Sequence, residues 1–269
     1  MKITAVAVLL CSAIALFGEA KDCINPSLIV PDGRIVTSQF AGSINGYTPT
    51  YWYGFYGQAT HSYSVEFVPT VDNEDTSNAI NFANLTVWGP TDIGALQINS
   101  CFGSTSVSWT STQSAAPAIA RSKYGSGQRL SFTAQVSGLY ILSITNTQAA
   151  GSYSYRVVDT TMFGARWSTL SGYDSHWSFT NFSDIAITGI LNIYESSGRL
   201  VMAAPVTLPA GGHTSHFTGP SDLNIQRNDA GYAVFSYNGP PQAILADSYM
   251  VNSDATVLIF VKFETRNFQ

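Results

Sequence analysis

Four stretches carry residue types that could do chemistry. Gly172-Tyr173-Asp174-Ser175-His176 places a hydroxyl beside an imidazole and a carboxylate, the groups of a serine hydrolase. That chemistry needs the base within hydrogen-bond reach of the nucleophile. Adjacent residues on an extended strand point to opposite faces, so Ser175 and His176 should not pair. The chain also has no G-x-S-x-G elbow. His213-Thr214-Ser215-His216 is a histidine pair at i and i+3. On a strand these too point apart, which denies a zinc ion two adjacent ligands unless a turn intervenes. Asp72-Asn73-Glu74-Asp75 is the densest acidic cluster. Crowded hard oxygens suit calcium, with Asp72, Glu74 and Asp75 as ligands, although the EF-hand spacing is missing. A solvated acidic loop is the alternative. Tyr51-Trp52-Tyr53-Gly54-Phe55-Tyr56 concentrates aromatic rings. One face of such a strand must enter a core. The other could offer a stacking surface to a sugar or peptide, with Tyr51, Trp52, Tyr53 and Tyr56 as contact residues. Burial of both faces is the competing expectation.

No constellation here assembles a catalytic centre, so the chain reads as a non-enzyme. The composition narrows the classes further. Only 11% of the 269 residues are charged, against roughly 25% in an average soluble domain, and the formal net charge is −5. Twelve basic residues against 17 acidic ones leave no cationic footprint for nucleic acid. Fifteen Phe, 14 Tyr and 5 Trp exclude a disordered chain. No cofactor is expected apart from the calcium already considered.

The first 20 residues read as a secretory signal peptide. Lys2 is followed by the apolar run Ile3 to Phe17, and Gly18-Glu19-Ala20 offers small residues at a cleavage site. No later stretch is long enough to span a bilayer, and the polar end Glu264 to Gln269 shows no anchor. The expected product is secreted, extracellular or periplasmic. Cleavage removes Cys11 and leaves Cys23 and Cys101, which in an oxidising compartment form one disulfide, two buried free thiols being the alternative.

The elements that position these residues are strands. Apolar and polar residues alternate through Ser62–Phe67, Leu130–Ala134, Tyr153–Val157 and Ile185–Ile193. Leu139–Ile144 is apolar on both faces, as a doubly covered central strand should be. Ser197-Gly198 signals a hairpin, and Pro209-Ala210-Gly211-Gly212 and Asn238-Gly239-Pro240-Pro241 interrupt the ladders. The fold class is therefore all-β: two antiparallel β-sandwich domains in tandem, at about 21–160 and 161–269. A single large β-domain is the competing reading. Asn84-Leu85-Thr86 and Asn181-Phe182-Ser183 match the glycosylation pattern inside expected strands and are taken as chance.

Several of these segments occur in a familiar order: Trp52-Tyr53-Gly54-Phe55, Ser62–Phe67, Asn84-Leu85-Thr86-Val87-Trp88-Gly89-Pro90, Gly138-Leu139-Tyr140 and Gly151-Ser152-Tyr153. Over about 34–159 the chain resembles the bacterial pre-peptidase C-terminal domain. That resemblance implies a non-catalytic, jelly-roll-like sandwich, linked in the family to substrate or matrix binding and in some members to calcium. The second half, with Trp167, Trp177-Ser178-Phe179 and Gly239-Pro240-Pro241, resembles immunoglobulin- or fibronectin-like sandwiches of secreted proteins. The expected function is binding of an extracellular polymer or surface, carbohydrate or protein, or membership of an extracellular assembly. A secreted hydrolase or inhibitor with an unfamiliar site, and a structural subunit of a surface fibre, are the alternatives.

Overall fold

The structure, a computed structural model, describes residues 26–40, 50–68, 84–90, 120–121, 129–145, 151–227, 229–252, 254 and 258–265. The leader 1–20, Cys23, Cys101 and the acidic residues Asp72, Glu74 and Asp75 lie outside them.

The described chain is almost entirely strand. In order these are β1 (Ser27–Leu28), β2 (Val36–Phe40), β3 (Thr50–Gly57), β4 (Ser62–Val68), β5 (Asn84–Trp88), β6 (Ala120–Arg121), β7 (Arg129–Thr133), β8 (Gly138–Thr145) and β9 (Gly151–Asp159). They continue as β10 (Met162–Ser168), β11 (Asp174–Asn181), β12 (Ile187–Glu195), β13 (Leu200–Leu208), β14 (His213–Phe217), β15 (Ala230–Asn238), β16 (Ile244–Val251), β17 (Leu258–Lys262) and β18 (Glu264–Thr265). The one described helical turn is 3-10, at Leu170–Gly172.

Strands β1–β9 form two sheets. Sheet I runs β1-β3-β8-β5-β6 and sheet II runs β2-β9-β4-β7. Strands β10–β18 form sheet III, β13-β12-β15-β10-β18, and sheet IV, β14-β11-β16-β17. All pairings are antiparallel except the short parallel contact of β1 with β3. The chain is thus two antiparallel sandwiches in tandem. Period-two alternation places every second residue inside. In the first sandwich Tyr51, Tyr53 and Phe55 of β3 face Tyr63, Val65 and Phe67 of β4 and Tyr153 and Tyr155 of β9 in one core. In the second, Trp177 and Phe179 of β11 meet Leu191 and Ile193 of β12 and Phe235 and Tyr237 of β15. β8 lies between β3 and β5 and is buried on both faces, as a run that is apolar but for Ser143 leads one to expect.

The connections follow local chemistry. Ser197-Gly198 closes the β12–β13 hairpin with Gly198 at φ 87°, a left-handed conformation that costs glycine least. The Gly198 amide donates to the Glu195 carbonyl at 2.9 Å.

The two sandwiches meet where β9 hands over to β10. Ser62, fully buried, is the hub. Its amide donates to Thr161 Oγ1 at 2.9 Å, and its carbonyl accepts from the Thr160 amide at 2.9 Å. Its hydroxyl oxygen accepts from Thr160 Oγ1 and from the Tyr237 amide, both at 3.0 Å. Around it, Ser236 Oγ donates to the Thr60 carbonyl and Ser131 Oγ to the Gly239 carbonyl. His61 Nδ1 and Asp159 Oδ2 share a 2.7 Å hydrogen bond beside Phe163. The junction is therefore a polar seam between two aromatic cores.

Ser62→Ala leaves the buried Tyr237 amide without its acceptor. The expected cost is about 1–3 kcal/mol, measured by urea unfolding. Gly231 sits where a Cβ would lie 1.8 Å from the Tyr194 carbonyl oxygen. Gly231→Ala must therefore displace backbone at the β12–β15 ladder, and a loss of more than about 2 kcal/mol is expected in the same measurement.

Candidate functional site

The aromatic stretch of β3 does not form an exposed platform. Tyr51, Trp52 and Tyr53 are 2%, 3% and 4% exposed, and Tyr56 alone of the four expected contact residues projects outward, at 66%. Tyr51 and Tyr53 enter the core between sheets I and II. Trp52 points the other way, yet packs against Trp88 of β5 with ring centroids 5.4 Å apart. The neighbouring residues of that outer face, Thr86, Ile141 and Ser143, are buried as well. From Tyr51 to Phe55 both faces of β3 are covered, and the strand meets solvent only at Tyr56.

Ser175 and His176 diverge as strand geometry requires. The Ser175 hydroxyl is buried; it accepts from the Ser168 amide at 2.8 Å and donates to the Ser168 carbonyl at 3.1 Å. His213 and His216 also separate. His213 Nδ1 lies 3.1 Å from Thr180 Oγ1, and His216 Nδ1 lies 3.2 Å from Asp222 Oδ1. Among the described residues no three His, Cys, Asp or Glu side chains gather as a metal site. Asn181, of the second glycosylation pattern, is fully buried and donates to the Ile185 and Pro209 carbonyls.

The arrangement that does emerge lies on the outer face of sheet IV. The strand register aligns Phe217 of β14, His176 of β11, Tyr249 of β16 and Phe260 of β17 in one row across all four strands. Centroids of Phe217 and His176 are 5.3 Å apart at 12°, and those of His176 and Tyr249 are 4.7 Å apart at 5°. Tyr249 and Phe260 lie 6.1 Å apart at 52°. The cause is the ladder itself. Neighbouring strands lie about 4.8 Å apart, close to the spacing of offset-stacked rings. Rings lying flat side by side could not approach so closely without overlap. The Phe217, His176 and Tyr249 rings therefore cover one another's faces and turn edges to solvent. Phe260, on the last strand of the sheet, is tilted and 70% exposed. The next register row is polar: Ser215, Ser178, Asp247 and Lys262.

Partial burial between two rings lowers the His176 pKa below its ordinary value, against an opposing pull from Asp174. The row is thus a neutral apolar ridge with a polar border on its Ser178 side. Alternation placed His176 on the face opposite Ser175, but its partners lie at positions 217, 249 and 260, brought together only by pairing register. Nothing local in the sequence marks them as a group.

No family model matches the chain, and no curated protein matches it. Among solved structures it is similar to PliG of Aeromonas hydrophila, a periplasmic inhibitor of g-type lysozyme, at 17% identity and TM-score 0.28, over 49% of this chain and 96% of that one. It is also similar to the extracellular region of zebrafish Gpr126/Adgrg6, at 7% identity and TM-score 0.24, over 88% of this chain and 30% of that one. A Bacteroides uniformis β-glucuronidase matches at 10% identity and TM-score 0.21, over 81% of this chain and 26% of that one. Likenesses this distant carry no functional conclusion. No described helix is long and apolar enough to cross a membrane.

Because folding lowers the His176 pKa, the unfolded chain takes up a proton as pH falls through 6.5 while the folded chain resists it. Stability from this group is complete above 6.5, is lost as pH falls toward the lowered folded value, and changes no further below that. His176→Phe, which keeps a ring in the stack, should flatten this part of a urea-midpoint profile taken from about pH 8 to about pH 5.

Proposed function

We propose that this chain is a secreted, non-catalytic β-sandwich protein that binds an extracellular protein surface through the outer face of sheet IV. The supporting observation is the Phe217–His176–Tyr249–Phe260 row. Exposed apolar area rimmed by polar groups is characteristic of contact sites. A sugar ring stacks on an aromatic face, and here both faces of His176 and one each of Phe217 and Tyr249 are taken up within the stack. An apolar ridge of ring edges suits a protein surface that packs along it, with Phe260 as the anchor. The secretory pattern of residues 1–20 and the resemblance of 34–159 to an accessory, non-catalytic sandwich family support the same reading.

The test is retention of the purified chain on intact cells of the source organism, before and after surface treatment with protease or with polysaccharide hydrolases. Protease should abolish retention, and glycan removal should spare it. Phe260→Ser combined with Tyr249→Ser should weaken retention by at least about tenfold without loss of fold by circular dichroism. Retention that survives protease, or that ignores the double substitution, overturns the proposal.

A further inference from the structure

The first sandwich opens along one side, where its two sheets end in β1 and β2. The segment between these strands crosses from sheet I to sheet II and leaves a cleft of about 560 Å³. That lies within the range of roughly 300–1,000 Å³ typical of small-molecule sites. The wall is apolar: Ile29 and Val36, half-buried and packed against the core, line it, and Val30 and Ile35 stand at its rim, 61% and 57% exposed. The inner end is built by Tyr53 of β3 and Tyr155 of β9, ring centroids 4.6 Å apart.

The two phenols differ in how they are satisfied. The Tyr53 hydroxyl shares a 2.5 Å hydrogen bond with the Tyr153 hydroxyl. The Tyr155 hydroxyl is buried and makes no hydrogen bond of good geometry. A buried hydroxyl without a partner is costly, and in a native protein such a group calls for a ligand or ordered water. Burial raises the pKa of both phenols, so each keeps its proton. The charged residues of the lining offer no free charge to a ligand. Asp32 accepts from the Arg34 amide at 3.1 Å and from Arg34 Nε at 2.5 Å, and the two side chains neutralise each other.

We propose that this cleft binds a small neutral amphipathic molecule, an aliphatic or aromatic body bearing one hydroxyl, carbonyl or amino group. The polar group meets the Tyr155 hydroxyl, and the body packs against Ile29 and Val36 with Val30 and Ile35 at the rim. The site is separate from the contact face of sheet IV and does not depend on it.

The test uses the purified chain and N-phenyl-1-naphthylamine, a neutral probe whose fluorescence rises in apolar surroundings, with decan-1-ol as competitor. The expected result is saturable binding at one probe per chain, displaced by decan-1-ol. Val30→Glu and Ile35→Glu, both at exposed positions that the fold tolerates, should each weaken binding by at least about tenfold. Tyr155→Phe should weaken decan-1-ol binding about fivefold while leaving the melting temperature unchanged or raised, because the deleted hydroxyl makes no well-formed hydrogen bond in the free protein. Absence of saturable binding, or binding indifferent to both glutamate variants, overturns the proposal. So does a Tyr155→Phe variant that melts lower but binds decan-1-ol as well as the parent.

Discussion

Side chains of a strand alternate between two faces, and neighbouring strands lie about 4.8 Å apart. These two spacings decide what each aromatic ring of this protein can do. In the interiors, alternation sends Tyr51, Tyr53 and Phe55 of β3, and Trp177 and Phe179 of β11, toward the opposing sheet. There the rings meet at tilted or stacked angles, as Phe55 does with Tyr63, Phe132 and Tyr140, and Phe179 with Phe235 and Phe263. On the outer face of sheet IV the same strand spacing acts sideways. It brings Phe217, His176 and Tyr249 into a stack that hides faces and presents edges.

Filling a core with tyrosine brings in hydroxyl groups that must be satisfied. Tyr53 and Tyr153 satisfy each other, Tyr140 donates to the Val136 carbonyl, and Tyr237 donates to the Pro240 carbonyl. Burial holds the Tyr237 pKa up at about 12, so it remains a donor at any ordinary pH. Tyr155 is the exception, and it stands where the sandwich opens between β1 and β2. The junction between the sandwiches solves a related problem with small hydroxyls. Ser62, Thr160, Thr161 and Ser236 occupy little volume and turn the backbone groups of one sandwich into partners for the other. A seam of this kind holds orientation through directed hydrogen bonds.

Much of the strand pattern was legible locally. Ser62–Phe67 and Tyr153–Val157 fall within β4 and β9, and the Ser197-Gly198 turn closes the β12–β13 hairpin. These features depend on neighbours along the chain: alternation, turn chemistry and apolar length. Ile185 shows where such reading slips. It continues the apolar rhythm toward Ile187, yet it lies ahead of β12 and is 40% exposed, because the chain there is still a turn held by Asn181. Trp52 shows the complementary limit. Alternation correctly sets it apart from Tyr51 and Tyr53, but whether an outward residue meets water depends on what covers the sheet.

From the sequence alone came the all-β class, the arrangement of sandwiches in tandem, the turns between strands, and the separation of Ser175 from His176. Each rests on the two-residue period of extended backbone or on turn residues with special dihedral angles. Only the tertiary structure decided that Tyr51, Trp52 and Tyr53 are interior, that Phe217, His176, Tyr249 and Phe260 share one row, and that Tyr155 closes the inner end of a cleft. These depend on which strands pair, in what register and against which opposing sheet. Such contacts join residues tens of positions apart, and no local pattern encodes them.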